Sequence, residues 1–299
     1  MSEPATVYLV DASPYVFRAF FSLPDSIRDP AGRPVNAVYG FAGFLIKLVE
    51  TASPTHLAIA FDRSLTTSFR NELYPGYKAG RDLPPPELEA QIDCCRELAR
   101  AFGAATFIAE RFEADDLIAA LASKLGAEGH GAVVVTSDKD LAQLVSDRVA
   151  LWDFARDERY GPDEVAAKFG VPPERIPDLL ALAGDPVDSI PGVPGVGRKS
   201  AAALLAAFDG LDAVYRHLDE VPKLPIRGAA SLAAKLAEHR ETAFLSKLLA
   251  TVDPQAPLDG WEEAGLDGLA YSGADPALLD PLCERLGFGA IRDRIPRRR

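Results

Sequence analysis

The stretch Ala132 to Leu141, AVVVTSDKDL, constrains this chain more than any other. Val133, Val134, Val135 and Thr136 form a short run of strand-favouring residues, which suits a central parallel strand buried on both faces. The run stops at a charge cluster, Ser137, Asp138, Lys139 and Asp140, and Leu141, Leu144 and Val145 then resume at helical spacing. The two aspartates thus sit where a strand ends and a helix begins, the usual place for a site in an open α/β sheet. Taken alone, Ser137 or Asp138 serves equally well as a helix N-cap, at the positive end of the helix dipole. Repetition of the pattern elsewhere in the chain decides between these readings.

Thr6 to Val10 reads as a first strand ending in Asp11, with a helix over Pro14 to Phe21 behind it. A helix over Val35 to Thr51 and a turn at Ser53-Pro54 lead to the strand Leu57 to Phe61, which Asp62 ends. A helix over Glu87 to Phe102, stopped by Gly103, precedes the strand Thr106 to Ala109. Glu113, Asp115 and Asp116 then fall in the first turn of a helix, Glu113 and Asp116 on one face; simple dipole compensation is the plain alternative. A strand over Val149 to Phe154 and a helix from Gly161 to Phe169 complete residues 1–170 as alternating β and α units, hence a mostly parallel sheet flanked by helices. Four strand ends or helix starts deliver carboxylates to one edge, and four accidental caps explain that poorly. Crowded like charges force protonation unless cations lie between them, and oxygen ligands without His or Cys select Mg²⁺ or Mn²⁺ over zinc.

With 48% hydrophobic residues, no apolar span long enough to cross a bilayer and no basic-then-apolar leader, the chain reads as soluble and cytoplasmic. Cys94, Cys95 and Cys283 fit neither a disulfide framework nor a zinc spacing and read as small core residues. A net charge of −12 argues at first against a nucleic-acid partner. Its distribution argues otherwise. Between Arg63 and Arg81, Arg63, Arg70, Lys78 and Arg81 face Glu72 alone, running from Thr66, Thr67 and Ser68 through Tyr74 and Tyr77, which suits phosphate and base contacts. A solvated loop is the alternative there. Lys223, Arg227, Lys235 and Arg240 form a second strip, and six arginines from Arg285 to Arg299 a third, which also reads as a disordered basic tail.

From Val171 onward the strands vanish and short helices take over. One spans Ile176 to Ala183, and another, Arg198 to Ala207, opens after Gly192-Val193-Pro194-Gly195-Val196-Gly197. Glycines at 192, 195 and 197 let backbone approach a phosphate, helix N-terminal amides point at it, and Arg198 and Lys199 add charge. The hairpin resembles a helix-hairpin-helix element that grips duplex backbone; a tight turn needing positive φ is the alternative. Residues 253–275 read as a loop-rich, acidic surface segment.

Together these pieces resemble the 5′-nuclease family, which includes bacterial flap endonucleases and the 5′-to-3′ exonuclease domain of DNA polymerase I. The motifs are VDAS (Val10–Ser13), FD (Phe61–Asp62), SFRNELYPGYKAGR (Ser68–Arg81), EADD (Glu113–Asp116), SDKD (Ser137–Asp140) and GDPVDSIPGVPGVGRKSA (Gly184–Ala201). The resemblance implies a PIN-like α/β nuclease domain over 1–170 and a helix-three-turn-helix region binding duplex DNA over 171–299. It implies Asp11, Asp62, Glu113, Asp115, Asp116, Asp138, Asp140, Asp185 and Asp188 as ligands of two Mg²⁺ ions, with Mn²⁺ able to substitute. Lys78, Arg81, Asp62 and Asp138 form the expected catalytic set. Tyr77, Lys78 and Arg81 would line a gateway around the 5′ strand, with Arg18 and Arg70 touching the reacting region and K⁺ at the Gly192–Gly197 hairpin. Arg111 replaces a frequent Gly, Ser189 a frequent Asn, and Pro75-Gly76 weaken helicity before Tyr77, so that the arch is expected to order on substrate. The implied reaction is structure-specific hydrolysis, at a 5′ flap or a 5′ end beside duplex, to 5′-phosphate and 3′-hydroxyl. A non-catalytic DNA-structure-binding paralogue and a PIN-type ribonuclease are the rival readings. With no polymerase segment before residue 299, the expectation is a stand-alone monomer acting alongside a polymerase and a ligase.

Overall fold

The computed structural model describes residues 3–63, 67–81 and 83–297. Thr66, and Arg298 and Arg299 of the basic strip, lie outside the described residues. The apolar runs become strands β1 (Thr6–Asp11), β2 (Leu57–Asp62), β3 (Ala105–Ala109), β4 (Gly131–Val135) and β5 (Val149–Asp153), paired in parallel. A sixth, β6 (Glu158–Tyr160), joins antiparallel through a tight turn with Asp157 at φ 55°. β6 is not legible in the sequence, because ERY is short, polar and unlike a buried strand, as suits an edge. The order β3-β2-β1-β4-β5-β6 reverses direction between β1 and β4, and Asp11 and Asp138 lie beside that switch point.

Side chains alternate across the sheet, and both faces are covered. Val10, Ile59, Phe61, Val133, Val135 and Trp152 pack with α2 (Asn36–Ala52) and α4 (Pro86–Ala101), beneath α1 (Ser13–Ser22). Leu9, Ala58, Ala60, Val134 and Leu151 pack on α5 (Ala114–Ala127). The short α3 (Phe69–Leu73) ends before Pro75, and α6 (Pro162–Phe169) closes the first half at Gly170. After β4 the chain forms a 3₁₀ turn, Asp140–Leu144, where helical spacing predicts an α-helix. The Asp138 carboxylate takes the Asp140 amide, and Gln143 bonds the Ala250 carbonyl and the Val252 amide, so contacts with the helical half hold this segment short of a full helix.

The helical half comprises α7 (Ile176–Ala183), α8 (Arg198–Ala207), α9 (Leu211–Arg216), α10 (Ala229–Glu238) and α11 (Arg240–Ala250). Its core is continuous with the α5 side of the sheet. Residues 253–275 are more than a surface loop: Ala256, Leu258, Trp261 and Leu269 are buried around α12 (Trp261–Ala264), and Ala270 bridges to His56. The chain then returns to the first half. In α13 (Pro276–Leu286) and α14 (Gly289–Arg292), Leu279, Cys283, Leu286 and Ile291 join the α2 and α4 core. The basic strip is accordingly packed through Arg297, with Arg285 paired to Glu97 and Arg297 to Asp280. Cys95 and Cys283 are buried and Cys94 half-buried, all unbonded to one another. Among the described residues no helix is long and apolar enough to cross a membrane.

The glycine hairpin shows two distinct demands. Gly192 is buried at φ 60°, its amide donating to Ser246 Oγ at 3.0 Å, and a Cβ there would lie 2.2 Å from the Gly184 backbone nitrogen. It serves close packing within the chain rather than approach of a phosphate. Gly197 has φ −92°, is exposed, and a Cβ there would meet nothing within 4 Å. Left-handed strain of about 1–2 kcal/mol and overpacking of about 1–3 kcal/mol should make Gly192→Ala destabilising by about 2–5 kcal/mol. Gly197→Ala should stay within about 0.5 kcal/mol of the parent. Urea denaturation of the two variants checks both figures.

Candidate active site

Most of the carboxylates converge because they follow the end of a parallel strand or open the helix after one; Asp185 and Asp188 arrive from the loop after α7. Asp11, at the end of β1, is buried, accepting from Thr136 Oγ1 at 2.8 Å and from the Ser13 amide at 3.3 Å. Asp62, at the end of β2, accepts from Ser13 Oγ at 2.6 Å and from the Ala114 amide at 2.8 Å. With Asp115 and Asp138 they line a cavity of about 590 Å³, whose other wall is Pro14, Phe17, Phe21, Leu83, Pro84 and Pro85. A neighbouring cavity of about 460 Å³ holds Asp138, Asp140, Asp185 and Asp188 with Arg198, and the two share Pro14, Arg81 and Asp138. Asp185 accepts from the Val187 amide at 2.7 Å, in the loop that follows α7.

Crowding shows in the protonation equilibria. Burial, then the Asp62 charge, pushes Asp11 up to about 8. Burial and Asp138 likewise push Asp140 up to about 8. Asp115 is raised by burial and by Asp138, and Asp138 by burial against the opposing Asp140 amide. Like charges sharing a low-dielectric crevice are the common cause.

Cations from the segment after α3 lie across this crevice. Lys78 Nζ donates to Glu113 Oε1 at 2.7 Å and stands 3.6 Å from Asp188 Oδ2; the Arg81 guanidinium pairs with Asp188. Burial alone would lower the Lys78 ammonium, but Glu113 and Asp188 hold it well above its ordinary value. The Lys78 backbone is at φ 54°, locked by its amide donating to the Asp188 carbonyl at 2.9 Å. Strain of this kind persists only where surrounding contacts enforce it. Ser189, standing where Asn is frequent, also has a left-handed φ of 56°, the region in which Asn is enriched.

Several expected roles shift. Tyr77 is buried, its hydroxyl donating to Glu113 Oε2 at 2.9 Å, so it presents no free ring face to a strand. Arg70, expected at the reacting region, is only 2% exposed and forms a two-pronged pair with Asp116, which is 0% exposed. Asp116 therefore faces away from the cavity that Asp115 lines. Arg18 is exposed on α1 outside both cavity linings. Gly195, Arg198 and Lys199 are exposed at the hairpin and the start of α8. Sequence reasoning missed Thr136 and Ser13 as supports of the carboxylates; the hydroxyl closing each strand-end motif, VVVT and VDAS, was the available signal.

A donor set of carboxylate oxygens without His or Cys fits a hard divalent cation. Among the described residues no three such side chains already stand in a metal-holding arrangement. Lys78 and Arg81 supply balancing charge to Glu113 and Asp188.

Residues 6–170 match the family model described as 5′-3′ exonuclease, N-terminal resolvase-like domain, and residues 171–273 match 5′-3′ exonuclease, C-terminal SAM fold. DNA polymerase I of Bacillus caldotenax is 40% identical over 292 residues, covering 96% of this chain and 32% of that protein. DNA polymerase I of Pseudomonas aeruginosa is 44% identical over 256 residues, covering 85% of this chain and 28% of the relative. The chain thus spans about a third of the length of these curated relatives. The T5 5′-exonuclease with bound zinc ions superposes with a TM-score of 0.67 at 19% identity, over 97% of this chain and 96% of that one. The catalytic core of Rad2 in complex with DNA substrate gives 0.59 at 18% identity, over 98% and 91%. Both family models, end to end from residue 6 to residue 273, identify the chain as a member of the 5′-3′ exonuclease family.

Proposed function

We propose that this chain hydrolyses DNA phosphodiesters at a 5′ flap or at a 5′ end beside duplex, leaving a 5′-phosphate and a 3′-hydroxyl. The observation that carries the reading is the pair of adjoining carboxylate-lined cavities bordered by Lys78 and Arg81. Asp11, Asp62, Asp115 and Asp138 would hold one Mg²⁺, and Asp138, Asp140, Asp185 and Asp188 a second; Mn²⁺ would substitute. When bound, such cations supply an ionised water and stabilise the leaving oxygen. Glu113 orients Lys78 and Tyr77 from behind the first group. Lys78 and Arg81 neutralise the non-bridging oxygens of the scissile phosphate, an effect that grows as charge develops. Phe17, Phe21 and Leu83 give the first cavity an apolar wall. At the other end, the exposed hairpin at Gly195 and Gly197, with Arg198 and Lys199, holds duplex backbone through the amides at the start of α8, where K⁺ would add positive charge. The curated relatives are DNA polymerases I. A polymerase and a ligase working on the same ends are the proposed partners.

The direct test is cleavage of an end-labelled 5′-flap DNA, with Mg²⁺ and with chelator, read at nucleotide resolution. Mg²⁺-dependent cutting near the junction is expected; binding without cutting would point to a DNA-structure-binding protein, and preference for single-stranded RNA to a ribonuclease. Lys78→Ala should reduce the single-turnover rate about 10²- to 10³-fold with DNA affinity little changed. An unchanged rate at saturating DNA would remove Lys78 from the reaction.

A second prediction follows from the carboxylates. Asp11 and Asp140 titrate near 8 in the fold and near about 4 when unfolded, so over that window the native state binds more protons. Metal-free stability should therefore fall as pH rises from about 4 to about 8. Mg²⁺, binding the folded state, should restore it at the upper end. Thermal denaturation across this range, with and without chelator, reads both effects; a flat melting temperature in chelator would contradict the crowding.

A further inference from the structure

We infer that Arg70 and Asp116 form a buried positioning pair that fixes the active-site end of α5 against the helical half, and that Asp116 holds no cation. The inference rests on the nuclease reading of the crevice. Asp115 and Asp116 are adjacent on α5 and so point about 100° apart around it. Asp115 lines the cavity, whereas the Asp116 carboxylate is already saturated. It accepts from Arg70 Nη1 at 2.8 Å and Nη2 at 2.7 Å, from the Glu113 amide at 3.0 Å and from the Asp253 amide at 2.8 Å. A carboxylate offers about four lone-pair positions, and all are used.

Arg70 is equally complete. Its Nε donates to the Leu249 carbonyl at 2.9 Å and Nη2 to the Thr251 carbonyl at 2.9 Å, while Nη1 also reaches Glu113 Oε2 at 3.3 Å. Leu249 and Thr251 carry carbonyls left without helical partners at the end of α11, where a cation is favoured. Arg70 belongs to α3, which leads directly to Tyr77, Lys78 and Arg81. The same α11 carries Ser246, whose hydroxyl takes the Gly192 amide at the start of the glycine hairpin. One buried pair therefore ties together the Lys78 segment, the Glu113–Asp115 turn and the helix that seats the hairpin. Removing Asp116 would strand a buried guanidinium, so a loss of activity on its removal needs no cation to explain it.

The test uses the full chain. Mn²⁺ binding is followed without DNA by the paramagnetic signal of the free ion, alongside single-turnover cleavage of 5′-flap DNA at saturation. Asp115→Asn is expected to weaken Mn²⁺ binding by well over ~100-fold, and Asp116→Asn only about tenfold, the lower end of the effect of a residue acting through a ligand. Asp116→Asn should still slow single-turnover cleavage about 100-fold, the cost of misplacing reacting groups by an ångström. Loss of Mn²⁺ affinity in folded Asp116→Asn equal to that of Asp115→Asn, or an undiminished cleavage rate, would overturn the inference. Should Asp116→Asn not fold, the double variant Arg70→Met with Asp116→Leu replaces the pair by apolar groups of similar size. Retained Mn²⁺ affinity in it supports the inference, and lost affinity overturns it. Unchanged Mn²⁺ binding in Asp115→Asn would count against the crevice reading alone. The pair would then be decided by hydrogen exchange of the Asp253 amide in Asp116→Asn, which quickens if the pair anchors the end of α11 and stays unchanged if it does not.

Discussion

Repulsion among carboxylates at the carboxyl edge of the parallel sheet is the constraint to which the rest of this structure answers. Asp11, Asp62, Asp115 and Asp138 line one cavity, and Asp138, Asp140, Asp185 and Asp188 the next. Such a gathering costs free energy unless the charges are satisfied or neutralised. Hydroxyls and amides satisfy some: Thr136 and Ser13 hold Asp11 and Asp62, and the Ala114 amide at the start of α5 holds Asp62. Cations neutralise others, with Lys78 on Glu113, Arg81 on Asp188 and the buried Arg70 on Asp116.

These cations come from outside the sheet, which makes the site a product of both halves of the chain. Lys78 and Arg81 reach Asp188 in the loop after α7, and the Lys78 amide donates to the Asp188 carbonyl. The helical half is thus closed onto the sheet edge by the same ion pairs that balance the crevice. Its core runs continuously into the α5 side of the sheet. On the opposite side α13 and α14 return to cover α2 and α4. The hairpin and the crevice are consequently joined by packed structure rather than by a loose linker.

The departures from expectation share one physical origin. The 3₁₀ turn at Asp140–Leu144, the buried Trp261 segment, the packed arginine strip and the inward-facing Tyr77 and Arg70 all reflect contacts between residues far apart in sequence. Gln143 meets Ala250, Lys124 meets Glu262, Arg285 meets Glu97, and Arg70 meets both Asp116 and Thr251. Local composition carries no trace of such partners.

The sequence by itself determined the five parallel strands and the carboxylates that follow them, because a run such as VVVT followed by SDKD switches at one point from burial to charge. It determined the alternation of β and α units, the all-helical second half and the motif set that assigns the family, each encoded within a few consecutive residues. Only the tertiary structure decided which acids face the crevice and which face a buried arginine. Asp115 and Asp116 are identical neighbours in composition, and the helical turn between them sends one to the cavity and the other to Arg70. The same holds for Gly192 and Gly197, alike in the hairpin sequence yet separated by what a methyl group would meet, Gly184 backbone in one case and open space in the other. Side-chain direction depends on what packs opposite, and that is set by the assembled fold.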